Sequence, residues 1–132
     1  ADKETNRTEN VSIANSTSTW NEPASTYAST YPKNHVMETE SGHIREYDDT
    51  PDAERIHEYH KSGTFYEIDK NGNKITRVVQ DNYEIIAGSN FVNVKGSANL
   101  TVTGDLNLKA TGNINLEAEG NVKVVGTRID LN

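Results

Sequence analysis

Apolar and polar residues alternate through the last third of the chain. A glycine interrupts the alternation every eight residues, at Gly88, Gly96, Gly104, Gly112 and Gly120. Counted from each glycine, apolar side chains fall at even offsets. Leu106, Ile114 and Val122 come two residues on, Val92, Leu100, Leu108, Leu116 and Val124 four on, and Val94, Val102, Ala110 and Ala118 six on. Odd offsets are mostly polar, with Asn99, Asn107, Asn115, Thr101, Lys109, Glu117, Lys95, Thr103, Thr111 and Glu119. Strict alternation marks extended chain with one buried face. A glycine at fixed period marks a repeated corner, where φ is positive or a Cβ would clash. The predicted core is therefore Val92, Val94, Leu100, Val102, Leu106, Leu108, Ile114, Leu116, Val122 and Val124, with the five glycines at the corners of the repeat.

One chain cannot bury that face. If three octads made one layer of a solenoid, five octads would give fewer than two layers, too few for stacked neighbours to close a core. Each octad carries about three apolar side chains, worth roughly 1.5–3 kcal/mol apiece when fully buried. Several identical chains, each giving part of every layer, bury the face and remove the exposed strand edges. The repeat thus predicts an obligate homo-oligomer with a fibrous β-core. The period alone leaves the number of chains open.

The pattern upstream differs. Residues 1–40 are rich in Asn, Ser, Thr and Glu, and their apolar residues, Val11, Ile13, Trp20, Tyr27, Tyr31 and Val36, are isolated. Neither period 2 nor period 3.6 is sustained, so this part reads as an extended, irregular segment. Trp20, Tyr27 and Tyr31 could anchor it on other subunits; a disordered linker with incidental aromatics is the alternative. Residues 41–87 are denser in strand signals and form the predicted β-rich head. Asp49-Thr50-Pro51 marks a turn, Arg55 to His60 alternates with Ile56, Glu58 and His60 on one side, and Ser62-Gly63 is a break. Thr64–Ile68 and Lys74–Val79 read as strands joined by a hairpin turn at Lys70-Asn71-Gly72-Asn73. Residues 88–132 are the octads.

Composition points to disorder or to a core completed by other chains. Only 33% of the 132 residues are hydrophobic, and mean hydropathy is −0.79, poor for a monomeric core. Net charge is −7 with no basic stripe, which argues against nucleic-acid binding. No apolar run is long enough for a transmembrane helix. Cysteine is absent, so no disulfide staples the fold.

The stretch SGHIREYDDTPDAERIHEYHKSGTFYEI carries a resemblance. Gly42, His43, Glu46, Asp48, Asp49, Thr50, Pro51, Glu54, Arg55, Ile56, His60, Ser62, Gly63, Glu67 and Ile68 fill a pattern similar to that opening the β-helix of central spike proteins in contractile phage tails. Type VI secretion spikes of the valine–glycine repeat family are similar. The upstream TYASTYPKNHVMETESGH resembles the T-even-like spikes, and the resemblance covers roughly residues 25–132. It implies an all-β fold: an intertwined homotrimeric triple-stranded β-helix, a fibrous prism preceded by the extended segment. It also implies a place at the virion tail tip, in the baseplate, with other baseplate and tail-tube proteins upstream. The implied role is a needle driven mechanically through the host outer membrane to the periplasm when the sheath contracts. T-even spikes carry an OB-fold and a lysozyme domain before the needle, and neither fits this chain, so a needle fragment or a reduced spike is expected. Some short spikes end in an apex with an HxH metal site. All four histidines here lie at or before His60, which leaves three forms for the tip: blunt, capped by another protein, or cut off.

Candidate chemistry is sparse. His57 and His60 are three apart in a strand-like segment, which puts them on opposite faces rather than on one metal. Glu46, Asp48, Asp49 and Glu54 lie around a turn with no cleft implied, and with Arg45 and Arg55 nearby they read as ion pairs across chains rather than a glycosidase pair. No nucleophile elbow is present. Asn99, Asn107 and Asn115 make an outward column, either a hydrogen-bonded ladder or a solvated face. No catalytic, metal or cofactor residues are assigned. A receptor-binding tail fibre or adhesin stalk is the alternative function, disfavoured because no aromatic residue follows Phe91.

Overall fold

The computed structural model describes residues 9–132, so the first eight residues of the extended segment lie outside the described residues. Every regular element among the described residues is a β-strand, and none is a helix. The chain divides into two compact units.

The first unit, which includes residues 21–93, is built on a five-stranded antiparallel meander in the order β3 (Asn34–Glu38), β4 (Ile44–Asp48), β5 (Arg55–Tyr59), β6 (Phe65–Ile68) and β7 (Lys74–Arg77). One turn design is used three times. In the sequences Thr39-Glu-Ser-Gly42, His60-Lys-Ser-Gly63 and Asp69-Lys-Asn-Gly72, the glycine N–H donates to the first residue's carbonyl at 2.9–3.0 Å. The first residue's N–H in turn donates to the residue after the glycine at 2.8–3.0 Å. The three glycines have φ of 102°, 104° and 83°. This is a tight turn closed by a glycine bulge, which a residue with a Cβ strains. The β4–β5 link differs: Asp52 has φ 64° and Ala53 N–H donates to the Thr50 carbonyl at 2.9 Å.

The meander corrects one reading from sequence and completes another. Strand β3 lies within residues 1–40, where no regular structure is expected; it forms because β4 offers a partner edge, His35 opposite Tyr47 and Met37 opposite Arg45, which local periodicity does not reveal. In β5 the alternation leaves open which side turns inward, and the side carrying Ile56 and Glu58 is the outer one. Arg55 and His57 are buried while Ile56 is exposed. The inner face joins Ile44, Phe65 and Ile75 to Glu46, Asp48, Arg55, His57, Glu67 and Asp69. A face held by ion pairs reads as solvent-facing when only hydrophobicity is counted.

The second unit holds residues 11–20 and 94–132. Its first part belongs to a short hairpin of β1 (Asn10–Ser12) and β2 (Thr19–Asn21), closed by the Ile13 N–H on the Ser18 carbonyl at 3.0 Å. The Thr101 hydroxyl donates to the Ser12 carbonyl at 2.6 Å. Among the described residues the octads form no strand pair. Their backbone bends at each of the five glycines and at the residue before it. None of these glycines has a positive φ, and a Cβ would meet nothing within 4 Å at any of them. The positive-φ expectation is therefore not met within one chain: the corners are made with φ that any residue adopts.

Candidate functional site

Two features stand out, a buried charge cluster in the head and an uncovered apolar strip in the octads. Alternation along β4, β5 and β6 sends Glu46, Asp48, Arg55, His57 and Glu67 to the same face, and register brings them together, Asp48 opposite Arg55 and His57 opposite Glu67. The Arg55 guanidinium then donates in three directions: NH2 to Glu46 at 3.1 Å, NH1 to Asp48 at 3.0 Å and Nε to Glu67 at 3.1 Å. All of these side chains are wholly buried. His57 Nδ1 shares the same Glu67 oxygen at 2.9 Å, while its Nε2 meets no partner among the described residues.

A strap from residues 22–33 covers this face. The Tyr27 ring lies 4.7 Å from the Arg55 guanidinium carbon, a cation–π contact. The Ser29 hydroxyl donates to Asp48, the Thr30 N–H to the Thr50 hydroxyl at 2.9 Å, and Arg77 to Glu22 at 2.5 Å. Burial pushes the Asp48 carboxyl up, but hydrogen bonds from Ser29 and Thr50, with the Arg55 charge, outweigh it and hold the group below its ordinary value. For Arg55, burial disfavours the cation, yet Glu46 and Glu67 outweigh it and raise its affinity for the proton.

Each side chain singled out in the sequence can now be placed. Glu46 and Asp48 are ion-paired, but within one chain, not across chains as expected. Asp49 and Glu54 are exposed, and Asp49 faces His35 at 3.4 Å. Arg45 pairs with Glu58 at 2.9 Å on the outer face. His57 is buried and His60 is exposed at a turn, so the two do not converge. Tyr27, read as an anchor on another subunit, lies against its own chain's Arg55. Glu67 and the strap residues Glu22 and Ser29 have no mark in the sequence, because their partners are ten or more residues away in every case. A solvent-free cluster of this kind, hydrogen-bonded at every group but His57 Nε2 among those named here, fixes the register of the strands that carry it.

The octad strip is the reverse case. Exposure repeats along it: 74%, 75% and 78% at Leu100, Leu108 and Leu116, and 57%, 58% and 60% at Leu106, Ile114 and Val122. The conformation therefore repeats with the sequence, and among the described residues nothing covers the apolar side chains.

No protein-family model matches the chain. It is 51% identical over 67 residues to "Protein Gp5" of Vibrio phage KVP40, a match over 51% of this chain and 16% of that protein. It is 46% identical over 72 residues to "Pre-baseplate central spike protein Gp5" of Enterobacteria phage T4, over 54% of this chain and 12% of that protein. The chain is thus similar, over about half its length, to central spike proteins of T4-like phages, as the Gly42–Ile68 pattern suggests, and the match spans under a fifth of either relative.

Proposed function

We propose that the chain forms the needle part of a baseplate central spike in a contractile-tailed phage. Three copies wind their octads into a triple-stranded β-helix, and the needle is pushed through the host outer membrane by sheath contraction. The apolar strip carries the reading. Its side chains are uncovered at every octad, which is the condition of a surface awaiting other copies of the same repeat. The similarity to central spike proteins supplies the setting. The sheet at the head, held by its buried charge cluster, anchors the point where the helix begins. Upstream neighbours are other baseplate or tail-tube proteins, and a capping protein at the tip completes the set of partners.

A needle of this kind works by stiffness and needs no affinity for lipid. Its outward positions, Lys95, Lys109, Glu117 and Glu119, are of mixed charge, unlike a membrane-seeking helix face. The test is flotation and leakage with vesicles of mixed zwitterionic and anionic lipid at neutral pH. The expected result is no binding and no leakage without applied force. Strong unforced binding would replace the mechanical role with an insertion mechanism.

A further inference from the structure

The meander is turned inside out: it buries a charged face under its own strap and leaves an apolar row on the face opposite. Three side chains stand side by side there, Tyr47 opposite Ile56 and Ile56 opposite Ile68. Tyr47 and Ile56 are 52% and 37% exposed. The row is framed by the Arg45–Glu58–Tyr66 hydrogen-bond network, at 2.9 Å for each link, and by Lys74, which lies opposite Ile68.

The same unit carries a second uncovered apolar element. The connector between β7 and the first octad places Tyr83 and Ile85 in solvent, 82% and 93% exposed. Neither residue fits the inward offsets of the octads, so closure of the β-helix does not cover them. Both belong to the head unit, and within one chain the connector does not cover the row.

We propose that Tyr83 and Ile85 of one copy pack on the Tyr47–Ile56–Ile68 row of a neighbouring copy. The inference rests on the trimeric reading above and adds to it a specific interface at the head. Tyr83 stands six residues beyond Arg77, which limits it to roughly 20 Å from the end of β7. In a closed ring of identical chains each sheet therefore has a neighbour's connector at its own level. Charge fits as well: Asp81 and Glu84 flank Tyr83, and Lys74 borders the row beside Ile68. The contact gives each copy a reciprocal hold on the next one before the octads begin.

The chain has no cysteine, so a cross-link reads the contact directly. Full-length chains carrying Ile56→Cys are co-expressed with differently tagged chains carrying Tyr83→Cys, and native mass is measured before oxidation. A second pair, Ile68→Cys with Ile85→Cys, guards against a poor bond angle in the first. An Ile56→Cys with Asn99→Cys mixture sets the background. The expected result is a trimer in which most mixed assemblies yield a disulfide-linked heterodimer for at least one test pair and not for the control. Trimers that give no heterodimer above background with either pair overturn this interface and leave the trimeric needle standing. A monomer for the unmutated chain overturns both.

Discussion

The head and the octad tail solve the burial problem in opposite ways. The meander closes its inner face with residues of its own chain, and most of what it buries there is charged. The tail presents a regular apolar strip and buries none of it. Antiparallel strands joined by short turns bring distant charges into contact at little entropic cost. A single extended strip with no strand partner among the described residues has no such means. The comparison teaches that apolar content alone is a poor guide to which region folds by itself: the charged region has a completed interior, and the apolar one has none among the described residues.

The sharpest way to break the comparison lies in the tail. Leu108→Asp or Leu116→Asp should abolish assembly, because one layer would bury three like charges about a single axis. Asn107→Asp and Lys109→Glu should leave assembly unchanged. Sedimentation of the purified variants decides it, and assembly of Leu108→Asp with wild-type melting would show that the even offsets are not the core. Next in size is Arg55→Met in the head, where Glu46, Asp48 and Glu67 lose their shared cation. Removing one partner of a buried ionic cluster costs about 3–5 kcal/mol. Hydrogen exchange should show β4–β6 opening more readily while the mass of the assembly stays the same.

Smaller effects separate the two kinds of glycine. At Gly63 φ is 104° and a Cβ would lie 3.3 Å from Val79 Cγ1, so Gly63→Ala should cost about 1–3 kcal/mol in denaturant unfolding. Gly104→Ala has neither cause of strain within its own chain and should stay within about 0.5 kcal/mol. A larger loss at Gly104 would place another chain against it. Acid gives the smallest effect. Asp48 is held below its ordinary value, so its contribution is fully present above about pH 4 and is lost as pH falls below that toward the folded value. Asp48→Asn should lower stability at neutral pH and flatten the acid limb of the pH–stability curve.

Much of this was legible in the sequence, for physical reasons that differ by region. The octads announce themselves because their period is in the chain itself. The turns at Ser62-Gly63 and Asn71-Gly72 are legible because glycine is demanded by a local backbone conformation. Which side of β5 faces inward is not legible from its alternation. Ile56 is the apolar residue there, yet Arg55 goes inside because Glu46, Asp48 and Glu67 lie 7–12 residues away with fixed register to meet it. Strand β3 and the strap over Arg55 were missed for a similar cause, since both are defined by partners at long range and by no period of their own.

The central claim is that the tail has no stable folded form alone, and the most direct measurement is the mass of the unmutated chain in solution across a concentration series, by sedimentation equilibrium or native mass spectrometry. The account predicts three chain masses at micromolar concentration, with melting and dissociation occurring together. A single chain mass with cooperative unfolding over the same range would contradict it.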